Sequence, residues 1–136
     1  MADAFETKVA VVLLDDLPVW QKANAAAFLV SGIAPGHVGE AYVDGSGNRY
    51  LPMLRQPILI YAADSAGIRR AYERAMARQV EELAIFTREL FSTPHDEANR
   101  AAVAAVPAAE LDLVGIALRA ERKVVDKVLD RLRPHP

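Results

Sequence analysis

With 136 residues, of which 52% are hydrophobic and 25% charged, the chain has the composition of one globular domain and is long enough to bury a core unaided. The lack of cysteine excludes disulfides and thiolate chemistry, and His37, His95 and His135 are too scattered for a metal-ligand motif, so neither metal nor cofactor is expected. A formal net charge of -2 and a pI of about 5.9 argue against a broad nucleic-acid footprint.

The first residues, MADAFETK, carry acids where an export signal needs a basic start and an apolar core. No apolar run approaches the roughly 20 residues needed to cross a bilayer. A cytoplasmic protein with no membrane partner is expected. KVAVVLL (8–14) reads as a strand covered on both faces. In the following DDLPVWQK, Asp16 is expected to cap a helix and Pro18 to sit in its first turn. That helix should run to about Ser31, with Val19, Ala23, Ala26, Ala27 and Val30 inward. Phe28 and Leu29 then lie outside the stripe and need a cover, for which a second subunit is the natural candidate; a homodimer is expected. Gly32 is read as the left-handed residue ending the helix.

EAYVDGSGNRYLPML (40–54) reads as a β-hairpin around Asp-Gly-Ser-Gly-Asn, with Tyr42 and Tyr50 paired across it. PILIYAA (57–63) is a second buried strand. Asp64 or Ser65 then caps a helix whose inner face carries Ile68, Ala71, Tyr72, Ala75 and Met76. Arg69, Arg70, Arg74 and Arg78 crowd its other side, a pattern that favours a solvated face over an RNA patch. ELAIFT (82–87) is a third core strand. After it, Thr93 as cap, Pro94 in the first turn and Asp96 three residues on predict a helix to about Val106. LDLVGIAL (111–118) is a further strand, and the chain closes in a helix with Val124, Val125, Val128, Leu129 and Leu132 inward. The alternation predicts one α/β domain over 1–136: three layers, α/β/α, around a mixed, mostly parallel sheet of about four strands, with a hairpin insertion.

Ligands of such sheets bind beyond the carboxyl ends of the strands. Two of these junctions are unusually polar, Asp15 to Asn24 and Thr87 to Glu97, and they form one cleft if their strands are neighbours. The expected occupant is a small polar ligand, held by Asp16, Lys22, Asn24, Thr87, Thr93 and Asp96. Asp16 and Thr93 also have the simpler reading of helix caps, and Lys22 that of a solvated side chain. His95 paired with Glu89 is the candidate catalytic pair, because an imidazole titrates near neutrality and a carboxylate can orient it. Trp20 and Phe91 can stack on a flat ligand, or anchor the helix.

The order of these stretches resembles the type II peptidyl-tRNA hydrolase superfamily. More closely, it is similar to an uncharacterised bacterial domain of unknown function that shares that fold. VVLLDDL entering an alanine-rich helix, QPILIYAAD (56–64) and DLVGIALRAERKVVDKVLDRL (112–132) carry the first resemblance. DLPVWQKANAAAFLVSGI, YVDGSGNRYLPM and ELFSTPHDEANR carry the second. The hydrolase resemblance implies the same fold but not the reaction. Only Lys22 survives, displaced, from the family's glycine-lysine repeat, and Ala27 replaces its glutamine. Arg88 and Glu89 stand where the family has Asp-Ala-Gly, and alanine or valine near 104–106 replaces its threonine. Three functions compete: a small-ligand binding domain, a hydrolase that is either a residual peptidyl-tRNA hydrolase or uses His95 and Glu89, and a homodimeric interaction module. RNA is a less favoured partner.

Overall fold

A computed structural model describes residues 5–136; the reading of the first four residues as part of a non-exported start lies outside them. A five-stranded sheet has the order β5-β6-β1-β4-β7, built from β1 (Thr7–Leu14), β4 (Ile58–Ala63), β5 (Glu82–Thr87), β6 (Leu113–Glu121) and β7 (Arg133–Pro134). The hairpin strands β2 (Tyr42–Val43) and β3 (Arg49–Tyr50) form a separate two-stranded sheet, with Tyr42 opposite Tyr50 as expected. Four helices complete the fold: α1 (Val19–Ile33), α2 (Ser65–Ala77), α3 (Asp96–Ala104) and α4 (Arg122–Val128).

Helices cover both faces of the sheet. α1 lies against β1, β5 and β6, while α2 and α4 pack on each other and on β1 and β6. Val9, Val11, Val12, Val114, Ile116 and Leu118 are therefore fully buried at successive positions of both faces, which explains why their strands read as unbroken apolar runs. The sheet is mixed but not mostly parallel. Only β1 and β4 run parallel, while β6 is antiparallel to β1 and β5, and β7 to β4. Long connections containing helices can also join antiparallel neighbours, as α3 does between β5 and β6, so alternation alone could not fix the strand directions. The short edge strand β7 was not foreseen.

The phase of α1 differs from expectation. Its sheet-facing residues are Ala25, Leu29 and Ile33, with Ala26 and Val30 beside them, while Val19 is 82% exposed. Burying Leu29 and Ile33 removes far more apolar area from water than burying Ala23 and Ala27. Gly115 of β6 makes room for Leu29: a Cβ built there would lie 2.9 Å from Leu29 Cδ1. Gly32 is helical, facing Ala84, and the left-handed turn (φ +82°) falls at Gly36. Asp16 does not cap. It lies in an exposed turn, buried Leu17 anchors the chain, and Pro18 occupies the cap position without any side-chain bond, its carbonyl accepting from Gln21 and Lys22 N–H.

The cap of α2 is better matched. Asp64 accepts from Gly67 N–H at 2.7 Å and starts α2, on which Ile68, Ala71, Tyr72 and Ala75 are buried but Met76 is 53% exposed. Two of the α2 arginines are tied down rather than solvated. Arg69 donates to the carbonyls of Ala108 (3.0 Å) and Leu111 (2.5 Å), and Arg74 to that of Asp130 (3.0 Å). On α4, Val125, Val128 and Leu129 are buried and Val124 and Leu132 partly so, as the final amphipathic pattern required. None of the helices is long and apolar enough to cross a membrane, among the described residues.

Candidate functional site

Because β6 lies between β1 and β5, the two polar junctions do not meet as adjacent strand ends. They are joined by α1, which crosses over β6 and brings its outer face to the segment after β5. Trp20, Asn24 and Phe28 recur every four residues and so share one helix face. Opposite them, β5 presents Phe86 one residue before its end, a 3-10 turn covers Arg88–Phe91, and α3 begins at Asp96. Between these walls is a cleft of about 290 Å³ lined by Trp20, Asn24, Phe91, Thr93, His95 and Asn99 among others. An apolar groove of about 440 Å³ continues from it between α1 and α3, sharing Phe28, Phe86, Leu90, Asp96 and Asn99 with the cleft.

The aromatic rings form a chain along the cleft wall. Trp20 meets Phe91 edge to face at 5.8 Å between centroids, Phe91 meets Phe86 at 4.9 Å, and Phe86 meets Phe28 at 6.0 Å. Trp20 thus anchors α1 to the 88–91 turn while remaining 60% exposed, so one face of its ring stays available. Most of the polar groups come from the wall that faces α1. His95, rather than Thr93, is the cap of α3: its Nδ1 accepts from Ala98 N–H at 3.1 Å. That bond places the imidazole proton on Nε2, leaving a donor. Thr93 Oγ1 lies 3.2 Å from the Leu90 carbonyl and against the Asn99 side-chain amide, its single proton serving one of the two, and Asn99 lines the cleft. Asp96 is paired with Arg100 one turn later on α3.

Of the residues expected to form the site, Asn24, Thr93, His95 and Asp96 come together here. The others do not. Lys22 leaves the cleft and donates to His135 Nε2 at 3.1 Å, while Nδ1 of that ring is 3.0 Å from the Pro136 carbonyl. Asp16 is in the turn before α1, and Glu89 is exposed on the 88–91 turn without lining the cleft. Thr87 is fully buried, with its hydroxyl unpartnered, in the register shift where β5 leaves β6. No hydrogen bond joins Glu89 to His95 among the described residues, and the cap bond already uses His95 Nδ1. The expected catalytic pair is therefore not assembled. Phe28, Phe86 and Asn99 were not anticipated as site residues; the four-residue spacing from Trp20 through Asn24 to Phe28 was the available signal.

A second polar cluster lies away from this cleft, and no motif predicted it. Glu82, at the start of β5, accepts from Arg119 at 2.7 Å and pairs with His37 Nε2 at 2.6 Å. Arg119 continues to Gln56 at 3.2 Å, and Gln56 donates to the Thr7 carbonyl at 3.1 Å. Burial alone would raise the Glu82 carboxyl, but the Arg119 and His37 contacts outweigh it and hold it below the ordinary glutamate range. This cluster clamps the segment after α1 to the sheet. Among the described residues, no three His, Asp or Glu side chains converge in a way that could hold a metal ion.

The model of one protein family matches residues 7–136, nearly the whole of the chain. The chain belongs to the DUF2000 family. The family is described as a protein of unknown function. The DUF2000 chain is also similar to a solved structure, the protein of unknown function Atu0240 from Agrobacterium tumefaciens strain C58. The two are 42% identical with a TM-score of 0.93, over 98% of this chain and 100% of that one. No curated protein matches the chain.

Proposed function

We propose that this DUF2000 protein is a binding domain for a small planar ligand carrying hydrogen-bond acceptors, taken up in the cleft between α1 and α3. The observation that carries this reading is the cleft's composition. An exposed aromatic face on Trp20 is set beside a polar rim, the side-chain amides of Asn24 and Asn99, each carrying a donor and an acceptor, and Nε2–H of His95, drawn from segments some 70 residues apart in sequence. A flat ring stacks on the indole, and its acceptors meet the rim. Trp20 is the sole tryptophan, so its fluorescence reports directly on the cleft. Titration with heteroaromatic carboxylates and amides should change that emission saturably for a subset of compounds. Asn24→Ala should weaken binding about tenfold, the loss of one good hydrogen bond. No saturable response across such a panel would refute the reading.

The scaffold is read as related to the type II peptidyl-tRNA hydrolases, without their reaction. In support, the three stretches that resemble that superfamily form β1 with the start of α1, β4, and β6 with α4. Hydrolysis through His95 and Glu89 is disfavoured by the cap bond on His95. Purified protein is expected to leave peptidyl-tRNA intact, and turnover lost in His95→Ala would reverse this assignment. The protein is further read as cytoplasmic and as a homodimer, the pairing supported by the large apolar side chains Trp20 and Phe28, which α1 leaves 60% and 54% exposed.

A further inference from the structure

We infer that the cleft and the apolar groove beside it are one site, and that its ligand is amphipathic: a planar polar head in the cleft, joined to an unbranched aliphatic tail of about six carbons in the groove. This rests on the reading of the cleft as a ligand site and assigns the chemistry of the rest of the ligand.

The two spaces are continuous. Phe28, Phe86, Leu90, Asp96 and Asn99 line both, so the same side chains end the cleft and begin the groove. α1 and α3 each run from the cleft into the groove, and polarity falls along both in the same direction. On α1 the lining passes from Trp20 and Asn24 through Phe28 to Leu29 and Gly32. On α3 it passes from His95 through Asn99 to Val103 and Ala104. From the sheet, β5 adds only the apolar Ala84, Ile85 and Phe86.

The polar groups that reach the groove beyond the shared stretch are already partnered. Ser31 Oγ donates to the Phe28 carbonyl at 2.6 Å, and Arg100 is paired with Asp96 at the solvated rim, both largely exposed. A polar ligand group placed there would lose water without gaining a partner, which costs free energy, whereas a methylene gains by leaving water. The far end is kept open by small residues. A Cβ built on Gly32 would already lie 3.4 Å from that of Ala84, and Ala104 carries only a methyl on the facing helix.

Size sets the length of the tail. The groove holds about 440 Å³, the scale of a small-molecule site. From Phe28 to Gly32 along α1 is about 6 Å, and from Asn99 to Ala104 along α3 about 7.5 Å. An extended chain advances about 3.4 Å per three bonds, so about six carbons span this distance.

The test is a chain-length series, N-alkylnicotinamides from methyl to decyl, titrated into methyl-labelled protein and followed by NMR. The Trp20 indole and Asn24 amide report on the cleft, and the Leu90 and Val103 methyls on the groove. The methyl compound should move the cleft signals; longer members should move both sets with one saturation curve. Each added methylene should tighten binding about two- to fourfold until about six carbons, after which the gain stops. Ala104→Phe, which puts a ring at the far end of the groove from an exposed position, should remove most of the advantage of hexyl over methyl. Cleft shifts whose affinity ignores chain length, or a gain that continues undiminished through decyl, would overturn the tail and leave the cleft reading standing. Groove signals that move alone would sever the two spaces and overturn the inference. Groove methyls that shift on raising the protein concentration alone would assign the groove to a second copy, with the same result. A series that moves neither set would overturn both the tail and the cleft.

Discussion

Replacing Gly115 with alanine tests the contact that sets α1, and with it the cleft, on the sheet. The added methyl would lie 2.9 Å from Leu29 Cδ1, 3.3 Å from Leu13 Cδ2 and 3.3 Å from the Val12 carbonyl oxygen. Each is shorter than ordinary van der Waals contact. Leu29 ends in a flexible side chain that also lines the α1–α3 groove and can shift in part, whereas Leu13 is 4% exposed and the carbonyl is fixed in the β1–β6 ladder. Overpacking of this kind costs about 1–3 kcal/mol. Leu29→Ala, which leaves a cavity at the same place, should cost about 2.7–5 kcal/mol. The double variant should be less destabilised than the sum, by at least about 0.5 kcal/mol, because the new methyl enters the space Leu29 vacates. Urea unfolding followed by circular dichroism measures all three, with equal slopes required for the comparison. A Gly115→Ala protein as stable as the wild type, or strictly additive effects, would show that Leu29 does not wedge against β6 and that α1 is held in some other phase.

Asp64→Ala should cost about 1 kcal/mol through loss of the α2 cap, whereas Asp16→Ala should stay within about 0.5 kcal/mol because its side chain caps nothing. Equal effects in urea unfolding would contradict this placement of the caps. The Glu82 carboxyl, held below its ordinary range in the folded chain, contributes stability that is complete above its unfolded pKa and is lost as pH falls through the folded one. Glu82→Gln should therefore flatten the acid limb of the stability–pH curve, and an unchanged limb would show that the Arg119 and His37 contacts do not favour the carboxylate. In the hairpin, the hydrogen bond from Tyr50 is the main cause of the Asp44 carboxyl lying at about 2, helped by those from Asn48 and Ser46. Tyr50→Phe should raise that pKa in an NMR titration of the side-chain carboxyl carbon, and no movement would mean that the tip is not closed by this bond.

The long strands and the α2 cap were legible in the sequence because their determinants are local. A run of apolar residues marks a strand buried on both faces whatever its neighbours, and Asp64 needs only the N–H three residues ahead. Two features were not legible. The phase of α1 was ambiguous, since a helix apolar nearly all round offers several stripes and only the hollow at Gly115 selects the one through Leu29. Strand direction was ambiguous because chain length and intervening helices do not distinguish a crossover from a return. These two gaps explain the misplaced site residues. With the phase of α1 shifted, Trp20, Asn24 and Phe28 face the cleft and Lys22 turns to His135; with β6 inserted between β1 and β5, Asp16 and Thr87 lie apart. Glu89 fails for a different reason, since the 3-10 turn exposes it on the surface.

The most direct test of the ligand cleft is an NMR fragment screen on isotopically labelled protein, in which the Trp20 indole and the side-chain amides of Asn24 and Asn99 give separate signals. Planar fragments bearing acceptors should shift these three together, with one saturation curve, and leave the Gln56 and Gln79 amides unmoved. Binding that shifts the Gln56 amide instead would move the site to the Glu82–Arg119 cluster. A panel that shifts none of the three would contradict the assignment of the α1–α3 cleft as a ligand site.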